Sequence, residues 1–263
     1  MPKTILITGS TDGIGWETAQ RLVAGGHRVI LHGRHPEKLE RVMDALSAEG
    51  QIADLSVFTQ VKALADVVAG RHDHLDVLIN NAGVYKTPAP RTADGLDVRF
   101  VVNTLAPFLL TRELLPMLGA AGRIVNVSSA AQAPVDLEAL AGQRSLADGA
   151  AYAQSKLALN AWSRHLAQEI GGGGPIVVAV NPGSLLATKM VNEAFGLAGH
   201  DVGIGADILV RAALADEFAE ASGLYFDNDA GRFAPPHPAA LDDAACAQIV
   251  RSIESILAGL GFG

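Results

Sequence analysis

Short apolar runs of strand length alternate with helix-period segments along the whole chain, and this alternation constrains the fold more than any other feature. Thr4 to Thr8, Arg28 to His32, Gln51 to Ala53, Leu75 to Asn80, Arg123 to Val127, Ile176 to Val180 and Gly223 to Phe226 read as about seven strands. Between them lie helical stretches at Ile14 to Ala24, Pro36 to Ala48, Ser56 to about Ala69, and roughly Ala93 to Leu118 with a bend near Pro107. Tyr152 opens another, which runs on through Leu157, Leu159, Trp162, Leu166 and Ile170. Two more follow, near Asp201 to Ala215 and from about Asp242 to Leu260. Val, Ile and Leu runs without polar alternation belong in a parallel sheet covered on both faces. Repeated βα units imply right-handed crossovers and a Rossmann-type, doubly wound α/β fold. The 263 residues fit one such domain, 1–263, and there is no internal repeat or interdomain linker. Gly171 to Gly174 reads as a helix-to-strand loop.

Between the first strand and its helix lies Thr8-Gly9-Ser10-Thr11-Asp12-Gly13-Ile14-Gly15. Glycines here let backbone approach a pyrophosphate at the positive end of a helix. Such a string alone is an ordinary turn; its place after the first strand makes it a dinucleotide cradle. No Gly-Lys-Ser/Thr follows, which disfavours an ATP-type loop. The second strand ends Leu31-His32-Gly33-Arg34-His35, with no carboxylate for the ribose hydroxyls of NAD(H). The guanidinium fork of Arg34 suits a 2′-phosphate, although a solvated arginine would look the same. NADP(H) is favoured over NAD(H), tempered by Asp12, which lends the turn no positive charge.

Tyr152-Ala-Gln-Ser-Lys156 places a phenol and an ammonium four residues apart, on one helix face. A free phenol titrates near ~10. A positive charge at ~4 Å, at an effective dielectric of ~20, is worth about 4 kcal/mol, enough to pull the phenol into the range of general acid–base catalysis. The same pair also occurs by chance on exposed helices.

Net charge is −8 and the pI about 5.4. Both argue against nucleic acid, which demands a basic face, and against a polybasic membrane-binding surface. The run Ile5-Leu6-Ile7 is too short for a signal-peptide core, and no apolar stretch approaches the ~18 residues of a spanning helix. One cysteine, Cys246, precludes an intrachain disulfide. No membrane anchor and a cytoplasmic location are expected. The eight histidines form no ligand set, so no metal is expected.

With these pieces in place the chain resembles a short-chain dehydrogenase/reductase over nearly its whole length. The motifs are Thr8-Gly9-x-x-x-Gly13-Ile14-Gly15, Asp54-Leu55, Asn80-Asn81-Ala82-Gly83, Asn103, Ser129, Tyr152-x-x-x-Lys156 and Pro182-Gly183, in that order. The resemblance implies that Asp54 and Leu55 flank the adenine, that Asn81, Ala82 and Gly83 line the cofactor groove, and that Pro182, Gly183 and Thr188 sit near the nicotinamide. It further implies a hydride passed between nicotinamide and an alcohol or carbonyl. Tyr152 is then the general acid or base, Lys156 lowers its pKa and holds the ribose, and Ser129 rather than Ser128 bonds the substrate oxygen. Asn103 bends its helix and holds a water beside the lysine. A non-catalytic NADP(H)-binding redox regulator is the competing reading, and has no need of this relay.

Ser129 and Tyr152 are 23 positions apart, wider than in many relatives. The extra stretch, Gln132 to Gly149, and Ser222-Gly223-Leu224-Tyr225-Phe226-Asp227 resemble the retinol-dehydrogenase-like branch, which often prefers NADP(H) and lipophilic substrates. The stretch either walls the active site or is a surface loop. A substrate lid is expected over about 184–205, made apolar by Leu185, Leu186, Met190, Val191, Phe195 and Leu197. Gly196, Gly199, Gly203 and Gly205 would let it move, and Lys189 is its one obvious cation. The resemblance implies a homodimer or homotetramer through the long helices, although this branch includes monomers.

Overall fold

Strand β1 (Thr4–Ile7) has Ile5, Leu6 and Ile7 wholly buried, and it is flanked on both edges by further strands. In the computed structural model of the chain, residues 1–188, 190–192, 196 and 198–263 are described. Around β1 stand β2 (Arg28–Gly33), β3 (Glu49–Ile52), β4 (Leu75–Asn80), β5 (Leu118–Val127), β6 (Ile176–Asn181), β7 (Tyr225–Asp227) and β8 (Arg232–Phe233). Their order is β3-β2-β1-β4-β5-β6-β7-β8. All pairings are parallel except β7 with β8. The sheet therefore winds outward in both directions from β1 and β4, and such folds bind ligands at the carboxyl ends of the strands beside that reversal.

Strand β8 adds to the seven strands expected. It is two residues long and returns through Gly231, whose φ of +65° suits a tight reversal. A strand so short carries no sequence pattern. Its Phe233 ring meets those of Phe218 and Phe226 at 5.2 and 5.1 Å, closing that edge of the core.

Helices α1 (Gly13–Ala24), α2 (Pro36–Leu46) and α8 (Val202–Leu214) cover one face of the sheet. Helices α3 (Phe58–Arg71), α5 (Ala106–Leu114), α7 (Asp148–Ile170) and α9 (Asp243–Gly259) cover the other. Short α4 (Val98–Phe100) and α6 (Leu137–Leu140) precede α5 and α7 in the chain.

The helix expected from Ala93 starts only at Val98. Gly95 sits at φ +77° and Asp97 caps the start by accepting from the Arg99 amide. The irregularity expected near Pro107 is a π turn over Val101–Leu105, closed by the Ala106 amide on the Val101 carbonyl. Pro107 has no amide to give the Asn103 carbonyl four residues back, so the regular ladder fails here.

Helix α7 starts at Asp148, a turn before Tyr152. Its buried side chains run from Leu157 and Ala158 to Asn160, Ala161 and Trp162, around much of its circumference. A helix covered on several sides shows no clean apolar stripe. Helix α9 supplies part of that cover through Cys246, Ile249, Val250, Ile253 and Leu257, all buried. Fully burying such aliphatic side chains contributes roughly 1.5–3 kcal/mol each. Asp243 of α9 accepts from Arg164 and Gln168 of α7 at 3.1 and 3.0 Å, and Arg112 of α5 reaches Glu254 at 3.2 Å. These exposed pairs add little beside the apolar burial. The chain's own last helix thus covers α7.

Candidate active site and cofactor cleft

A cleft of about 840 Å³ opens along the carboxyl ends of β1, β2, β4, β5 and β6. It is lined by the glycine turn at one end and by Ser129, Tyr152 and Lys156 further along. Gly9, Thr11, Asp12, Gly13, Ile14, Gly15, Gly33, Arg34, Asp54, Leu55, Asn81, Ala82, Gly83, Pro182, Gly183 and Thr188, all cofactor candidates from the sequence, lie on its wall. Ser10 and Asn103 do not. Ser10 is wholly buried, and its hydroxyl accepts the His32 amide at 2.9 Å, so it braces the turn from behind.

The turn has no room to spare. Gly9 and Gly13 have φ of +66° and +54°, which favour glycine. A Cβ at Gly15 would lie 2.4 Å from both Asn81 Nδ2 and Gly9 O. Asn81 Nδ2 donates to the carbonyls of Thr8 and Gly9, and the Thr8 hydroxyl accepts the amides of Asn81 and Ala82. The turn is thereby tied to the end of β4. Asp12 caps α1 by accepting the Gly13 amide, and its carboxylate stands 3.6 Å from Lys38 Nζ. Backbone amides at a helix start beside bare glycines fit a dinucleotide pyrophosphate.

At the end of β2, exposed Arg34 is joined on the wall by His35 and Lys38. Sequence reasoning missed Lys38; its place one turn into α2, beside the cleft, was the available signal. Asp54 lies on the wall, but its Oδ1 already accepts the amide and hydroxyl of Ser56 at 2.9 and 2.7 Å, a local turn at the approach to α3.

At the other end, the Tyr152 phenol hydrogen-bonds the Ser129 side chain. The Ser129 hydroxyl accepts the Ala131 amide at 3.1 Å, which leaves its own proton to donate. The Ser129 carbonyl is held by Tyr225 Oη at 3.2 Å and Gln132 Nε2 at 2.9 Å. Ser128 is buried with its hydroxyl unpartnered by protein. Lys156 is 4% exposed, and its Nζ donates to the Val127 carbonyl at 2.6 Å. That Nζ lies 5.7 Å from the centroid of the Tyr152 ring, so the two do share one face.

The electrostatics differ from the sequence expectation. Burial pushes the Tyr152 phenol above its ordinary range; the Ser129 hydrogen bond opposes that shift, and Tyr85 adds to it. Burial pushes Lys156 down to about 7. An amine half neutral at pH 7 projects a weak field, so the expected depression of the phenol by the ammonium does not appear. Four-residue spacing reports proximity, not the desolvation that dominates both groups.

Asn103 stands behind the wall. Its Oδ1 accepts the Val84 amide at 2.8 Å, while its Nδ2 donates to the Val84 carbonyl at 2.9 Å and to Ser155 Oγ at 3.0 Å. It thereby fixes the segment that carries Tyr85, whose ring meets that of Tyr152 at 4.9 Å. Tyr85 lines the cleft and was not legible in advance, because only the fold brings it against Tyr152.

The wall includes Ser128 to Ala131 and resumes at Tyr152, so 132–149 does not line the cleft. That stretch folds back on 91–99, where Arg91 donates to the carbonyls of Gly95 and Gly142 and Arg99 pairs with Asp148. It backs the wall at one point: a Cβ at Gly149 would lie 3.2 Å from the Tyr85 hydroxyl. Of the expected lid, Leu185, Leu186, Met190 and Val191 line the cleft. Lys189, Phe195 and Leu197 lie outside the described residues. Gly203 and Gly205 are not hinges but buried members of α8, where a Cβ at Gly205 would lie 2.6 Å from Leu186 Cδ1. Val98 and Val102 add further apolar wall. Among the described residues no cluster of three metal-ligating side chains occurs, and no helix is long and apolar enough to cross a membrane.

Comparison with known proteins agrees with this architecture. A family profile described as short chain dehydrogenase matches residues 3–196. The chain is 33% identical to human retinol dehydrogenase 13 over 251 residues, covering 86% of this chain and 76% of that one. A crystal structure of a protein from Mycobacterium paratuberculosis superposes with a TM-score of 0.81 at 29% identity, over 97% of this chain and 92% of that one. A short chain dehydrogenase from Escherichia coli CFT073, complexed with NADPH, superposes with a TM-score of 0.70 at 28% identity, over 86% of this chain and 96% of that one. The chain belongs to the short-chain dehydrogenase family, oxidoreductases that act on CH–OH and C=O groups, with retinol dehydrogenases among its relatives.

Proposed function

We propose that the protein is an NADP(H)-dependent oxidoreductase that interconverts a lipophilic alcohol and its carbonyl. The observation that carries this reading is the convergence of Ser129, Tyr152 and Lys156 on one cleft, with the glycine turn and the Arg34, His35 and Lys38 cluster further along the same wall. The NADPH complex of the Escherichia coli relative supports the cofactor. Bound nicotinamide supplies the hydride in reduction and takes it in oxidation.

The chain's residues do the rest. Ser129, with its proton left to donate, bonds the substrate oxygen and holds the carbonyl beside the phenol. Tyr152 gives its proton to the oxygen as negative charge develops there. A phenol raised by burial stays protonated at neutral pH, which favours reduction. Lys156, at about 7, is poised to pass a proton onward and to hold ribose hydroxyls. The Asn103 carbonyl, denied an amide by Pro107, is the acceptor for a water that continues the path to solvent.

The apolar wall of Val98, Val102, Leu185, Met190 and Val191 supports a hydrophobic substrate, with 184–205 as its cover. Helix α9 over α7 supports a monomer rather than a homodimer or homotetramer through the long helices. Cys246, buried and unpaired, is in keeping with a cytoplasmic location.

The test is NADPH consumption by the purified protein with linear aldehydes of increasing length, each paired with its ω-carboxylated counterpart. Turnover that improves with chain length and collapses with the added carboxylate is expected. No turnover on any carbonyl, or a preference for the anionic series, overturns the reading.

A further inference from the structure

We propose that His32 is a positioning residue for the cofactor: its imidazole joins Gly9 of the phosphate turn to Ala53, next to Asp54 and Leu55, and presets their separation before the dinucleotide binds. This rests on the cofactor reading above.

The ring is 3% exposed, and both nitrogens are engaged by backbone. Nδ1 accepts the Gly9 amide at 3.0 Å, and Nε2 faces the Ala53 carbonyl at 3.0 Å. An amide can only donate and a carbonyl can only accept. The pairing therefore fixes one tautomer, with Nδ1 bare and Nε2 protonated. The backbone of His32 adds two bonds to the next residue of the turn. Its carbonyl accepts the Ser10 amide at 2.9 Å and its amide donates to Ser10 Oγ at 2.9 Å. Gly9, His32 and Ala53 all border the cleft. A core histidine would spend its nitrogens on whatever lay nearby; this one spends both on segments that cradle the two ends of the adenosine diphosphate half. A second proton would set donor against donor at Gly9, and burial, pushing His32 down to about 4, keeps the ring neutral through the physiological range.

The two bonds can be separated by substitution. In His32→Asn the terminal atoms stand where Nδ1 stood, so the acceptor for Gly9 survives and the Ala53 bond is lost. In His32→Gln they stand where Nε2 stood, so the converse holds. NADPH is titrated by fluorescence against the unmodified protein and both variants, with steady-state turnover alongside. His32→Gln is expected to raise the NADPH Kd and KM about tenfold, the scale of one buried hydrogen bond. Its kcat at saturating NADPH and its carbonyl KM should stay within about twofold, a split that a merely structural residue does not produce. His32→Asn, which cuts the same bridge at Ala53, should raise the NADPH Kd and KM by a similar factor. NADPH binding by either variant equal to the unmodified protein overturns the proposal. Should the variants fail to fold, nitrogen NMR of the unmodified imidazole decides. The Nε2–H tautomer, retained when NADPH is added, is expected; the Nδ1–H tautomer overturns it. An unmodified protein that binds no NADPH sinks the cofactor reading, an outcome distinct from one in which it binds and the variants match it.

Discussion

The side chain of Asn103 grips both backbone polar atoms of Val84, accepting its amide at 2.8 Å and donating to its carbonyl at 2.9 Å. A π turn under the cleft thus holds the strand-end loop that carries Gly83 and Tyr85. Replacing Asn103 by Leu, similar in volume, leaves the Val84 groups and Ser155 without these partners.

Buried groups left unsatisfied cost about 1–3 kcal/mol each. Asn103→Leu should therefore lower the unfolding free energy by roughly 2–4 kcal/mol. Thermal melts and NADPH titration check this: both the midpoint and the affinity should fall. An unchanged midpoint would mean that the loop is held by other contacts.

Lys156 gives a pH prediction with a definite sign. Burial lowers it to about 7, so between about 7 and its ordinary 10.5 the unfolded chain binds the proton that the folded protein rejects. Its cost to stability is full below about 7 and fades as pH rises. Lys156→Met removes that cost but orphans the Val127 carbonyl. The variant should be inactive, yet as stable as the unmodified protein at pH 6, or more stable by up to about 3 kcal/mol. Its advantage should shrink between pH 7 and 10 in denaturant titrations. An advantage that grows with pH would contradict the burial argument.

Arg34 and Lys38 border the cleft together, while Lys38 shares its charge with Asp12 at 3.6 Å. Arg34→Ala should weaken NADPH by about tenfold to a hundredfold, the range of a charge-assisted hydrogen bond. Lys38→Ala should cost less, and NADH should change little in either. Titrations at fixed ionic strength give the NADPH-to-NADH ratio. An unchanged ratio in Arg34→Ala would remove it from the phosphate site.

Much of the fold was legible because strands such as Ile5-Leu6-Ile7 are buried on both faces and carry no polar alternation. Strand β8 was not, since Arg232 and Phe233 are too few to show a period. The start of α4 was misplaced because Gly95 and Asp97 act through local geometry, a positive φ and a cap. In the site, Tyr152 and Lys156 were legible from a spacing fixed by the helix itself. Tyr85, Tyr225 and His32 were not, because each meets its partner across the fold. The direction of the Tyr152 and Lys156 shifts was also hidden, since burial is a property of the packed structure.

The central claim is that Tyr152 supplies the proton for carbonyl reduction. Tyr152→Phe keeps the ring against Tyr85 and removes only the hydroxyl. NADPH affinity and single-turnover reduction of a long-chain aldehyde are measured side by side for the variant and the unmodified protein. The account predicts NADPH binding within about twofold and a loss of reduction of at least a hundredfold, the lower end for a general acid. Reduction that persists in Tyr152→Phe would contradict it.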